Sequence, residues 1–148
     1  MHGMNLRNGR VSEVGRIYMI TSVTHNRLPH FATTQAARTL IGELIQAQAS
    51  GLADTLAYVV MPDHFHWLMQ LGSKESLSAV VQRIKSRSTR SLRAAGHSAG
   101  WQRGFHDHAV REEEDLVQLA RYIVANPLRA GLAKSVRDYP HWDAIWLP

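Results

Sequence analysis

The sequence predicts an α+β domain built on an antiparallel sheet, and three observations carry that reading. Runs of β-branched and aromatic residues alternate with runs whose apolar residues recur at helical spacing. Two of the strand-like runs are joined directly by Pro62-Asp63, which is turn chemistry. The segments follow the order β-α-β-β-α-β-α, whose first six members are those of the split βαβ, or ferredoxin-like, plait. That plait has two helices on one sheet face and leaves the other open. The seventh segment is an added C-terminal helix placed to furnish part of a site there.

The elements follow in order. Ile17 to Thr24 is the first strand. Thr33 or Thr34 caps a helix from about Gln35 to Ser50, with Ala37, Leu40, Ile41, Leu44 and Ile45 on its apolar stripe and Gly51 as its stop. The hairpin of the second and third strands turns at Pro62-Asp63. Ser76 caps a second helix, whose stripe is Leu77, Val80, Val81 and Ile84 and which ends at Gly96. Phe105 to Val110 is a short fourth strand. Glu112 to Asp115 open a third helix, where negative charge suits the helix dipole, and Pro127 closes it. Residues 133–148 are read as an irregular tail whose Trp142 and Trp146 pack back on a core of about residues 10–132. The 148 residues form a single domain.

The third strand holds the first chemical signal. Alternate side chains share a face, so Phe65, Trp67, Met69 and Leu71 point to the core, and His64, His66, Leu68 and Gln70 point the other way. Two imidazoles side by side on a rigid hairpin begin a metal site, although short motifs also match by chance. The third helix supplies the complement. Tyr122 lies off its buried stripe of Leu116, Leu119, Ala120, Ile123 and Val124, and Asn126 follows four residues on, one turn along. A tyrosine in that setting is most often a structural hydrogen-bonding group. If the helix lies over His64 and His66, Asn126 completes a two-histidine, one-amide metal site and Tyr122 is placed to attack a bound phosphate. A divalent cation would favour phenolate and polarise the phosphate. Imidazole suits Mn²⁺, and availability favours Mg²⁺. His106-Asp107-His108 is a competing His-x-His pair, read instead as contacting DNA or packing.

Composition narrows the partner. Seventeen Lys and Arg against twelve Asp and Glu give +5, and fourteen of the seventeen are arginine. Guanidinium forks match phosphate oxygens. From Arg83 to Arg93 there are four arginines, Lys85 and no acid, with Arg83, Arg87 and Arg90 on one helical stripe. A second basic group comprises Arg7, Arg10 and Arg16, beside Tyr18. Both suggest nucleic acid, against the alternative of a solvated basic face. The absence of cysteine excludes disulfides and thiolate metal sites. No stretch approaches a membrane helix and the first ten residues lack a signal-peptide core, so a cytoplasmic protein is expected.

These residues resemble a known family. His64-Phe65-His66, with one tyrosine on a downstream helix, is similar to the single-tyrosine HUH endonucleases, and more closely to the REP-associated tyrosine transposases. The supporting stretches are Gly15 to Thr21, Val60 to His66, Trp101 to His108 and Tyr122 to Leu132, in the family's order. The resemblance implies metal binding by His64, His66 and Asn126, with Mg²⁺ or Mn²⁺ as cofactor. It implies Tyr122 as the nucleophile of an endonuclease and strand transferase. Such enzymes cut single-stranded DNA beside hairpins called repetitive extragenic palindromes, forming a 5′-phosphotyrosine and leaving a free 3′-hydroxyl. Arg10, Arg16, Tyr18, Arg83, Lys85, Arg87, Arg90 and Arg129 are the DNA-binding positions expected on this reading. The family's N-terminal Gly-Arg-Glu-Tyr signature is replaced by Gly15-Arg16-Ile17-Tyr18. Either a monomer or a homodimer is compatible with it. Two other functions compete: a hairpin-binding protein without catalysis, and a metal-dependent phosphodiesterase that uses water.

Overall fold

The computed structural model describes residues 13–146. In chain order the elements are β1 (Ile17–Val23), α1 (Thr34–Ala49), β2 (Ala53–Met61), β3 (His64–Leu71), α2 (Leu77–Ala94), β4 (His106–Ala109), α3 (Leu116–Val124), α4 (Asn126–Arg129) and β5 (Trp142–Ala144). Every pairing is antiparallel, and the sheet order is β4-β1-β3-β2-β5. Its first four strands carry the order of the ferredoxin-like plait.

The expected caps form. The Thr33 side chain accepts from the Ala36 N–H and that of Ser76 from Ala79. Gly96, at φ 88°, follows the end of α2 in the left-handed region that glycine enters without strain. Pro62 and Asp63 alone separate β2 from β3, so His64 begins β3 directly opposite Met61.

The sheet buries both faces. On one side Tyr18, Ile20, Phe65, Trp67, Met69 and Leu71 meet Leu40 and Leu44 of α1 and Val80, Val81 and Ile84 of α2. On the other, Ala57, Val59, Met61 and Leu68 meet Ala120, Ile123 and Val124 of α3. This second face is therefore covered in part, and the helix that covers it is the one that carries Tyr122.

Three expectations change. The tail is not irregular throughout: β5 pairs Ala57 with Ala144 and Val59 with Trp142. It caps the β2 edge, whose amides would otherwise be unpaired. Trp142 packs on the second core, whereas Trp146 is 37% exposed. Secondly, α3 opens at Asp115, whose carboxylate accepts from the N–H groups of Val117 and Gln118, and Glu112 to Glu114 precede it. Thirdly, α3 ends at Val124 before Pro127 is reached. Pro127 sits in the first turn of α4, where a missing N–H costs nothing.

Candidate metal and nucleophile site

His64 and His66 project from β3 on the α3 side, with ring centroids 4.9 Å apart and rings nearly perpendicular. Each is oriented through Nδ1. His64 donates to Asp63 Oδ1 at 2.7 Å, which leaves Nε2 as the lone-pair nitrogen of the neutral ring. His66 Nδ1 shares a 2.8 Å hydrogen bond with Thr21 Oγ1 on the neighbouring strand. Carboxylate and hydroxyl partners of this kind fix the tautomer and aim of metal-binding imidazoles. Burial, with the charges of His64 and Arg129, holds His66 down at about 3, so it stays neutral as a ligand must.

Asp63 is itself anchored, because Arg27 Nε donates to its Oδ2 at 3.2 Å. Burial pushes the Asp63 carboxyl up, but the bonds from His64 and Arg27 outweigh it and leave it below its ordinary value. Arg27 reaches this place from a short turn in which Asn26 and Arg27 are both left-handed, at φ 55° and 54°. A left-handed arginine is strained. The turn is held by Thr24, whose hydroxyl donates to Leu28 O at 2.7 Å.

The C-terminal helices close the site from above. Asn126 Nδ2 stands 3.3 Å from His64 Nε2, and a half-turn of the carboxamide puts its oxygen at that place. Tyr122, one turn earlier, is 57% exposed. The Arg129 guanidinium lies 3.9 Å from the centre of the Tyr122 ring and donates to the Tyr122 carbonyl at 2.7 Å. A cleft of about 440 Å³ opens beside Arg27, Asp63, His64 and Asn126. Among the described residues no group of three histidines or carboxylates converges. A cation held here would therefore rely on the amide of Asn126 as third protein donor beside the two imidazole nitrogens.

The second His-x-His pair divides. His108 Nε2 is engaged by both oxygens of Glu114, at 2.9 Å each. His106 is paired with Thr21 in register, so it shares the sheet face of His66 two strands away.

The basic candidates scatter. Arg10 lies outside the described residues. Arg16 is half-buried and pairs with Glu13 at 3.3 Å. Two of the expected DNA-binding residues are buried. Tyr18 is 4% exposed in the helix-side core with its hydroxyl accepting from the Glu13 N–H, and Lys85 is 6% exposed with its ammonium on the carbonyls of Gln102 and Gly104. Tyr18 is not presented to a phosphate on the outer surface. The stripe on α2 is also less cationic than its local sequence implies. Arg83 pairs with Glu75, and Arg87 with Glu43 of α1 at 2.8 Å. Glu43 comes from another helix and Glu75 from just before the α2 cap, so both lie outside the Arg83–Arg93 run. Arg90 is exposed, and Arg129 is committed to Tyr122. Sequence reasoning missed Thr21 and Arg27. Asp63 was legible only as a turn residue, although its adjacency to His64 was a usable signal.

Residues 15–126 match the family model described as "Transposase IS200 like". The chain is 30% identical over 128 residues to a REP-associated tyrosine transposase of Escherichia coli, covering 85% of this chain and 74% of that protein. It is 33% identical over 100 residues to a Haemophilus influenzae protein named for the same group, over 60% of this chain but only 57% of that protein's length. A solved structure of a REP-associated tyrosine transposase bound to a REP hairpin superposes with a TM-score of 0.75 at 29% identity, covering 90% of this chain and 79% of that one. A Deinococcus radiodurans crystal structure shares the fold, with a TM-score of 0.55 at 22% identity over 80% of this chain and 95% of that one.

Proposed function

The chain belongs to the IS200-like transposase family, and on that basis we propose that it is a metal-dependent single-stranded DNA endonuclease and strand transferase that uses Tyr122 as nucleophile beside hairpin DNA. One observation carries the reading. The helix bearing an exposed Tyr122 packs on the sheet face that holds two oriented, lone-pair-bearing histidines, and Asn126 of the adjoining turn touches one of them. The hairpin as substrate is supported by the relative solved with a REP hairpin.

His64, His66 and Asn126 are the residues that would hold the cation, with Asp63 and Thr21 orienting the imidazoles. When bound, a divalent cation would polarise the scissile phosphate as a Lewis acid. Tyr122 Oη forms a bond to phosphorus as the bond to the 3′-oxygen breaks. The phenol proton passes to water, and the departing 3′-oxygen takes up a proton as a free hydroxyl. The 5′ side is left as phosphotyrosine. In the transfer step a 3′-hydroxyl attacks that phosphorus, and the tyrosine oxygen leaves and is reprotonated. Arg129, stacked on the ring and bonded to the Tyr122 carbonyl, restricts where the phenol points.

The test is a denaturing gel of the protein with labelled single-stranded DNA carrying a palindrome, in Mn²⁺ or Mg²⁺. A slow covalent band is expected, absent in Tyr122→Phe while hairpin binding persists. Cleavage without the band would assign attack to water. Binding with neither would make the protein a hairpin-binding module.

A further inference from the structure

Arg129 stands where the proposed reaction develops charge. Its guanidinium lies 3.9 Å from the centre of the Tyr122 ring, and one of its N–H groups donates to the Tyr122 carbonyl at 2.7 Å. That carbonyl is in the last turn of α3, where carbonyls lack partners within the helix. Closing a helix end is ordinary work for an arginine, and it would account for this one bond. Three further observations exceed it.

The capping bond uses one N–H of five. No other hydrogen bond and no carboxylate engages Arg129 among the described residues. Arg27, which lines the cleft beside His64, is by contrast spent on Asp63. Secondly, the guanidinium lies over the phenol ring, so a phosphate bonded to Tyr122 Oη comes within reach of its free edge. Both side chains are exposed, which leaves that edge open to a DNA strand. Thirdly, the charge also faces inward. It reaches His66, where it adds to burial and to the charge of His64 in keeping the imidazole neutral. One cation therefore borders both the tyrosine and a histidine of the candidate metal site, and a phosphate attacked by Tyr122 beside that site lies between the two.

We propose that Arg129 is a catalytic residue whose free N–H groups donate to a non-bridging oxygen of the scissile phosphate, during attack and in the phosphotyrosine that follows. The inference rests on the function proposed above. As Tyr122 Oη bonds to phosphorus and the bond to the 3′-oxygen breaks, negative charge gathers on the non-bridging oxygens. Fixed donors aimed at that charge speed the step. Arg129 remains a cation throughout and exchanges no proton with the reactants. The phenol proton passes to water, and the departing 3′-oxygen takes one up. In the transfer step the same donors hold the phosphoryl group while a 3′-hydroxyl attacks and the tyrosine oxygen leaves. The planar fork suits two-point contact with phosphate, which an ammonium does not reproduce.

Single-turnover adduct formation by the full chain tests this, at saturating hairpin DNA and fixed Mn²⁺. Arg129→Gln retains a donor for the Tyr122 carbonyl and loses the charge and the fork. It is expected to slow the adduct by roughly 10²–10³-fold, the usual cost of removing one such donor. The urea midpoint and the affinity for uncut hairpin should change little. Arg129→Lys should recover part of the rate. Sulfur placed at each non-bridging oxygen of the scissile phosphate in turn gives the deciding readout. In the wild type both diastereomers should react slowly. In Arg129→Gln the penalty at the oxygen that faces Arg129 should largely vanish, and the other should remain. Slowing with both penalties intact would reduce Arg129 to a helix cap and overturn the proposal. A wild-type rate in Arg129→Gln, or a loss confined to hairpin affinity, would overturn it too, while the adduct itself keeps Tyr122 as nucleophile. No adduct from the wild type would reject the catalytic reading, and this proposal with it.

Discussion

At the scale of single residues, the site depends on partners that carry no chemistry themselves. Asp63 receives the Nδ1 proton of His64 and is held by Arg27, so a change there acts through the imidazole. Asp63→Asn should weaken Mn²⁺ binding by roughly 10–100-fold while the fold persists, as measured by metal titration. Wild-type affinity would remove Asp63 from this role. Lys85 makes a second residue-scale prediction. Burial lowers it from 10.5 to about 8, so between those values the unfolded chain binds the extra proton and stability rises with pH. Tyr139 acts in the opposite sense. Burial raises it from 10.0 to about 12, so stability falls as the unfolded tyrosine ionises above pH 10. Urea midpoints should therefore climb from pH 8 to a maximum near pH 10, then drop. In Lys85→Met the climb, on the order of 2 kcal/mol, should be missing.

At the scale of elements, α3 is a short helix given two duties. Ala120, Ile123 and Val124 anchor it on the sheet, while Tyr122 stays exposed. Nine residues are too few for a stable isolated helix, so packing and capping must hold it. Asp115 satisfies two of its first N–H groups. Asp115→Ala should cost about 1 kcal/mol in urea denaturation and slow adduct formation, because Tyr122, the proposed nucleophile, rides on the frayed element. An unchanged adduct rate at that stability loss would mean that α3 is positioned by its sheet contacts alone. The hairpin of β2 and β3 was legible in sequence because its turn and its alternation are both local. The start of α3 was not, because Glu114 is drawn to His108 on β4 and the cap passes to Asp115.

At the scale of the whole molecule, the sheet separates two cores. The helix-side core packs α1 and α2, and the α3 side packs the helix that carries Tyr122. Leu68 and Leu40 are both fully buried, one on each side. Truncating either to alanine should cost about 2–5 kcal/mol. Leu68→Ala should slow adduct formation more than it weakens hairpin binding, because Leu68 packs in the core beneath α3. Leu40→Ala should spare the adduct rate wherever the protein stays folded. Equal kinetic effects would mean that the two cores do not divide the work. No helix among the described residues is long and apolar enough to cross a membrane.

The sequence by itself determined the plait's element order, the Pro62-Asp63 hairpin, the inward and outward faces of β3, and the four residues His64, His66, Tyr122 and Asn126 as a candidate set. Those follow from periodicity, turn chemistry and spacing along one chain, all of which are local. Tertiary structure decided which strangers meet. It brought Thr21 to His66, Arg27 to Asp63 and Arg129 to Tyr122. It capped the β2 edge with β5, buried Tyr18 and Lys85, and paired Arg83 with Glu75 just before α2 and Arg87 with Glu43 of α1. Apart from Arg129 with Tyr122 and Arg83 with Glu75, which lie seven and eight positions apart, these outcomes depend on sheet register and helix docking, which join residues far apart in the chain, and no local pattern encodes which opposite charge or hydroxyl will arrive at a given place.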